Sequence, residues 1–390
     1  MVCDQCREVV VDGVFCTRCG AHQGTVAPMH DSARRLHAYA AHPGEHVAQP
    51  SLITTLFPHL GRHQVHEFRW ALLVALAGVA LLWITGFVTA AILVAAFLIP
   101  VLYLIYLYEA QVYRDAPASV VGFTLGAGAV LGVGVTLLSR LVLGDDLLVG
   151  RSSAFGVDAT VQVLPLLGIG VLLPVIQEVL KPLPALWLRG RGFPETMDGL
   201  TFGIAAGVGF ATAETLVNFS TFIAQANLRM APGTWILPLL SIAVLQPVMQ
   251  GACAGIVAAA LWRLLGRRGG LRDLVGLIGA PVAHASFALG GALLAQTGAG
   301  QAGELIWQVA IVAGLLVGVR YALHRALLEE AADLGMHPAL CAHCSRHVIA
   351  AGFCPNCGMA VAAAPFHVRS YRAPEASAPA GPEDGQSASE

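Results

Sequence analysis

Two groups of residues in this sequence have the types and spacing to do chemistry. The first is cysteine. Cys3, Cys6, Cys16 and Cys19 lie near the N-terminus, and Cys341, Cys344, Cys354 and Cys357 lie near the C-terminus. Both sets read C-x2-C-x9-C-x2-C and finish F-C-x-x-C-G. A Cys-x-x-Cys turn brings two thiolates to one ion, and the trailing Gly lets backbone N–H groups approach the sulfurs. Two such turns build the tetrahedral sulfur site that Zn2+ accepts, so each set predicts a zinc ribbon with one structural Zn2+. Four thiolates leave no open coordination position. The ribbons are therefore expected to bind a cytoplasmic protein partner or fold a terminus rather than catalyse. Two disulfides per module would instead require an oxidising compartment. His343 and His347 lie inside the second set, but its spacing does not call on them.

The second group consists of Glu178, Lys181, Glu214 and His284. Lys181 is the single lysine in the chain, and His284 is the single histidine between Trp70 and Val319. All four fall in strongly apolar surroundings, where an ionisable side chain is costly unless paired or hydrated. Glu178 and Lys181, at i and i+3, can pair on one helix face. Gln246 and Gln250 lie about one turn apart on a neighbouring apolar segment. Two carboxylates, an imidazole and buried amides suit water activation, with a Glu as general base and His or Gln polarising a carbonyl. They equally suit a proton or cation pathway, or a polar knot that holds helices together. Residue types alone leave all three readings open.

The elements that must position these groups are membrane helices. From Trp70 to Tyr108 the chain is almost wholly apolar, about 58 Å as helix, which is two crossings of a ~30 Å core with a turn near Thr85–Gly86. Further spans are expected at 118–139, 161–188, 200–222, 234–262, 274–296 and 304–324. Pro174, Pro182 and Pro184 should bend or end the helix that carries Glu178. Measured from the Arg-bearing helix ends, Glu178, Glu214 and His284 lie at roughly 16, 24 and 18 Å, so three helices bring polar groups to a similar level.

Composition agrees. Hydrophobic residues make 56% of the 390, and Asp, Glu, Lys and Arg together only 12%, about half the usual share. A soluble globule or a disordered chain is excluded, and a net charge of −2 argues against nucleic-acid binding. The predicted fold is an all-α polytopic membrane protein of about eight transmembrane helices, with a ribbon at each end. Its parts are an N-terminal ribbon (1–22), a linker and juxtamembrane segment (23–67), a transmembrane domain (68–328), a C-terminal ribbon (337–360) and a disordered tail (361–390). His59, His63 and His66 could share a juxtamembrane helix face. No cleavable signal is expected at the N-terminus. The Arg distribution puts both termini in the cytoplasm of a multi-pass cell-membrane protein, where thiolates persist.

The ordered motifs resemble the PrsW family of intramembrane proteases, within the CAAX-protease and bacteriocin-processing superfamily. Ile99 to Tyr108, with Arg114-Asp115 beyond, looks like that family's opening helix. Gln177-Glu-Val-Leu-Lys181 falls where the family has E-E-x-x-K. Phe202-Gly-Ile-Ala-Ala-Gly-Val-Gly-Phe-Ala-Thr-Ala-Glu214 is similar to its G-x-x-x-G-x-G-F-A-x-x-E signature, and Pro281-Val-Ala-His284 to its last motif. The resemblance covers about residues 95–325. It departs at Gln177, at Gln250-Gly251 where the family usually has a His, at Thr215, and at Ala288. It implies a membrane-anchored protein substrate of the anti-sigma-factor type in a lipid bilayer. Glu178 would activate water and Lys181 set its charge state, with Glu214 and His284 completing the site and Gln177 and Gln250 supporting it. The family is often labelled a metalloprotease. With a single His at the site, hydrolysis by glutamate without a catalytic metal is the expectation here. A degenerate scaffold or receptor that uses its ribbons for partner binding is the alternative, and a transporter the third.

Overall fold

In the computed structural model, residues 1–3, 6–20, 23, 66–110, 118–143, 167–225, 237, 240–266, 269–295, 300–333, 337–341, 344, 346–350 and 352–358 are described. The expected linker (apart from Gln23 and the start of the first helix), His59, His63, His343, Arg114-Asp115 and the tail from 361 lie outside them.

Two apolar helices open the bundle, α1 (His66–Ile84) and α2 (Val88–Ala110). The turn between them falls at Thr85–Gly86, as expected, and Gly86 has φ +84°, a conformation a side chain would strain. Then follow α3 (Ala118–Leu143), α4 (Leu173–Leu180), α5 (Leu183–Arg189), α6 (Thr196–Gln225), α7 (Gln246–Leu265), α8 (Leu271–Ala295) and α9 (Gly300–Asp333). Among the described residues six segments are long and apolar enough to cross a membrane, namely α3, α6, α7, α8, α9 and the run Gly170–Arg189 that joins α4 to α5, and α1 and α2 contain shorter apolar runs. Together they bear out a polytopic helical fold of about eight apolar helices. The 161–188 span differs in detail: among the described residues it is a helix pair broken at Lys181–Pro182. Pro182 has no N–H and Pro184 follows inside α5, so the ladder of α4 is not continued.

Helix α6 is the centre. Inside the bundle, 83% of its membrane window is buried, against 17% for that of α9. It packs on α7 along one face and on α3 along another. Both contacts need backbone-to-backbone approach, and the glycines of the G-x-x-x-G-x-G run supply it. A Cβ on Gly207 would lie 2.5 Å from the carbonyl oxygen of Gln250 on α7, and one on Gly209 would lie 2.0 Å from that of Leu125 on α3. Small residues at helix crossings are how membrane bundles pack without a hydrophobic driving force.

The last helix overruns its expected end at 324 by nine residues. Its extension, Arg325-Ala-Leu-Leu-Glu-Glu-Ala-Ala-Asp333, is made of strong helix formers. It carries Arg325 to Asp273 (2.9 Å) and Glu329 to Thr196 (2.5 Å) and Arg263, which tie the starts of α6 and α8 to the ends of α7 and α9. In the C-terminal module, β1 (His337–Leu340) pairs antiparallel with β2 (His347–Ala350). The N-terminal module has the equivalent single bridge, Val2 to Val9.

Candidate functional site

Four helices deliver the buried polar groups, Glu214 coming from α6, and each of the other three has a proline three residues before a key side chain. Pro174 precedes Gln177 and Glu178, Pro247 precedes Gln250, and Pro281 precedes His284. A proline inside a helix removes one backbone donor and crowds the preceding turn. On two of the three helices the chain answers by widening to a π turn, Gly168–Leu172 before α4 and Ser241–Leu245 before α7. The N–H of Leu173 then reaches the Gly168 carbonyl, and that of Gln246 the Ser241 carbonyl. Such π bulges are often found where side chains must be re-aimed. The two segments also share a short sequence, Pro174-Val-Ile-Gln177 and Pro247-Val-Met-Gln250. That repeat is the signal that could have singled out both glutamines together.

Glu178, Lys181, Glu214, His284, Gln177 and Gln250 are all buried, none more than 2% exposed. They form two adjoining groups. In the first, Oε1 of Glu178 accepts from Lys181 Nζ at 2.6 Å and from Nδ1 of His284 at 2.7 Å. Lys181 also lies over the Phe210 ring of α6, 5.3 Å from its centroid. Its charge is thus met by a carboxylate and a π face, as a membrane-depth ammonium requires. Oε2 of Glu178 is buried without a hydrogen-bond partner among the described residues. The second group is built on Glu214. Gln177 donates to its Oε1 (3.0 Å), while Gln250 (2.6 Å) and Gln246 (3.1 Å) donate to its Oε2. Adjacent residues of α4 therefore serve different carboxylates, Gln177 turning to Glu214 and Glu178 to Lys181 and His284. Cys253 of α7, singled out by no motif, is buried nearby in the α7–α8 seam and donates to the Ala280 carbonyl at 3.4 Å.

The eight terminal cysteines form two further sites. In each, the four sulfurs lie within 4.8 Å of one another, an arrangement compatible with zinc. The two match residue for residue: Cys3–Cys19 and Cys341–Cys357 are both 3.6 Å apart, and Cys6–Cys16 and Cys344–Cys354 are 3.8 and 3.9 Å apart. The trailing Gly20 and Gly358 have φ +72° and +74°, and each N–H turns back to the carbonyl of its Cys16 or Cys354. The N–H groups of Arg18 and Cys19 both approach Cys16 Sγ at 3.4 Å. Hydrogen bonds from Cys341 and Cys357 draw the Cys354 thiol down to about 4, favouring the thiolate that a metal needs.

A helical membrane bundle that buries a carboxylate, an ammonium and an imidazole against one another has the make-up of an integral membrane protein with an intramembrane polar site. The chain belongs to the PrsW family of intramembrane metalloproteases, which it matches over residues 116–317. The match begins beyond the Ile99–Tyr108 segment, runs from just before α3 into α9, and includes every member of the polar site. Neither the curated proteins nor the solved structures gave a match.

The family description implies a catalytic metal, and the membrane site can be tested for it. Its donors are one imidazole and two carboxylates. One oxygen of Glu178 already faces an ammonium and the imidazole, and both oxygens of Glu214 face amide N–H groups. Among the described residues, only the two cysteine sets gather three or more metal-ligating side chains. The Lys181 ammonium, 2.6 Å from Oε1 of Glu178, would set a like charge beside a divalent cation on that carboxylate. The donor set in this arrangement does not fit a catalytic metal.

Proposed function

We propose that this protein hydrolyses a peptide bond of a membrane-anchored protein within or beside the bilayer, with Glu178 as the base that activates water. The observation that carries the reading is the asymmetry of its carboxylate. Oε1 is held by Lys181 and His284, while Oε2 is buried and has no hydrogen-bond partner among the described residues, which leaves it able to accept a proton from a water molecule. In the proposed sequence, water oxygen attacks the scissile carbonyl carbon as its proton passes to Oε2. The tetrahedral intermediate then collapses, and the same proton goes to the departing amine nitrogen as the C–N bond breaks. Lys181 and His284 hold the carboxylate in place and balance its charge through the cycle. Glu214, clamped by three amides, fixes α4 and α7 against α6 and so positions Gln177 and, next to it, Glu178. We place both termini in the cytoplasm, a substrate of the anti-sigma-factor type in the bilayer, and one structural Zn2+ in each cysteine set.

A second reading is favoured by the Glu214 cluster, whose carboxylate has its donors supplied by protein: a non-catalytic relative in which the polar groups only hold helices together. Co-expression of candidate single-span substrates with wild type, Glu178→Gln and His284→Ala separates the two. Hydrolysis predicts fragments from wild type alone; the same fragments from all three would leave only the scaffold reading.

A further inference from the structure

The two cysteine modules touch. The N–H of Phe15 donates to the carbonyl of Pro355 at 2.9 Å, and the N–H of Phe353 donates to the carbonyl of Thr17, also at 2.9 Å. Phe15 and Phe353 hold the same place in their modules, before the third Cys, and Thr17 and Pro355 hold the same place after it. The two bonds are therefore reciprocal, as in an interface with a two-fold axis, where one surface serves both partners. Gly352 adds a third bond, to the Thr17 carbonyl at 3.0 Å. The approach is close: a Cβ on Gly13 would lie 2.6 Å from that of Pro355. Phe353 is wholly buried, in one apolar cluster with Ala185 and Leu188 of α5, Met197 of α6, Trp262 of α7 and Ala326 of α9.

We infer that the two terminal modules are halves of one bimetallic unit, in which each module's partner is the other and which seats on the helix bundle through Phe353. Residues more than three hundred positions apart thus close the chain into a ring. The inference is independent of whether the membrane site hydrolyses anything. It also gives the backbone edge of each module an occupant: N–H and C=O groups at an unpaired edge attract another chain, and here the other module takes them. Loss of metal from one module should then loosen the other and the α5–α7 end of the bundle beneath it.

The test uses the full-length protein in detergent, with metal content and amide hydrogen exchange measured together. Wild type should hold two Zn2+ and protect the amides of Gly352 and Phe353. Cys16→Ser/Cys19→Ser should hold one, and although the C-terminal cysteines are untouched, exchange at Gly352 and Phe353 should quicken about tenfold or more as their partner is lost. Gly13→Leu keeps all eight cysteines and both ions, and should quicken the same amides by forcing Pro355 away. Unchanged exchange at Gly352 and Phe353 in either variant would overturn the inference, as would a wild type in which these amides are unprotected.

Discussion

The amide of Gln177 donates to Oε1 of Glu214 across the α4–α6 interface at 3.0 Å, and Gln250 does the same to Oε2 from α7 at 2.6 Å. Both glutamines lie where the motifs depart from the pattern the sequence resembles, which has a Glu in place of Gln177 and usually a His at Gln250-Gly251; Thr215 and Ala288 are further departures. Both amides thus meet at one carboxylate. A Glu at 177 would set two carboxylates about 3 Å apart, a repulsion relieved by a shared proton or a cation. A neutral amide relieves it by donating, and a second amide at 250 completes the clamp. In this chain the two amides and the carboxylate make a hydrogen-bonded set.

Exchanging the two amides for metal-ligating side chains should convert the clamp into a metal site. Gln177→Glu/Gln250→His is expected to place a carboxylate and an imidazole around Glu214 in place of two N–H donors. Purified protein should then hold a third equivalent of Zn2+ or Co2+ beyond those of the cysteine sets, measured by elemental analysis. Either single variant should not.

Removing the clamped carboxylate should be costly. Glu214→Ala leaves the buried amides of Gln177 and Gln250, and the half-buried one of Gln246, without this acceptor, at about 1–3 kcal/mol for each buried group left unsatisfied. Thermal unfolding in detergent should show a large loss of stability, and Glu214→Gln a smaller one.

The close crossing of α3 and α6 gives a paired test. Gly209→Ala drives a methyl group into the Leu125 carbonyl, whereas Gly134→Ala on α3 meets nothing within 4 Å. The first should lower stability by about 1–3 kcal/mol, and the second should be neutral or raise it by up to about 1 kcal/mol. Denaturation of the two variants side by side checks both.

The bridged modules need their two termini on one side of the membrane, which an even number of crossings provides. In the proposed topology, which rests on the Arg distribution, that side is the cytoplasm. Reporter fusions that are active on only one side should give the cytoplasmic result at both ends; opposite results would contradict the topology.

Much of this was legible in the sequence, for reasons that differ by residue. The cysteine sets were readable because all their ligands are local. Glu178, Lys181, Glu214 and His284 were readable because a bilayer makes a charge expensive, so each one stands out against its apolar neighbours. The turn at Gly86 followed from length alone. What could not be read depends on registers and on contacts that no local pattern encodes. A π turn adds a residue to the helical repeat, so simple periodicity misplaces the faces of α4 and α7, and the aim of Gln177 at Glu214 was hidden. Phe353 looked like a ribbon residue, since nothing near it in sequence announces the apolar cluster it joins with residues of α5, α6, α7 and α9. The meeting of Phe15 with Pro355 is a long-range pairing between two copies of one pattern, visible as a repeat but not as a contact.

The most direct test of the account is the rate at which the protein, reconstituted with a single-span substrate in liposomes, cleaves that substrate before and after Glu178→Gln. The substitution keeps the shape and buries an amide where the base stood. The account predicts that the new fragments fall by about 100-fold or more, the usual worth of a general base, while the variant remains folded and keeps the zinc content of wild type. An unchanged rate in folded Glu178→Gln protein would contradict it.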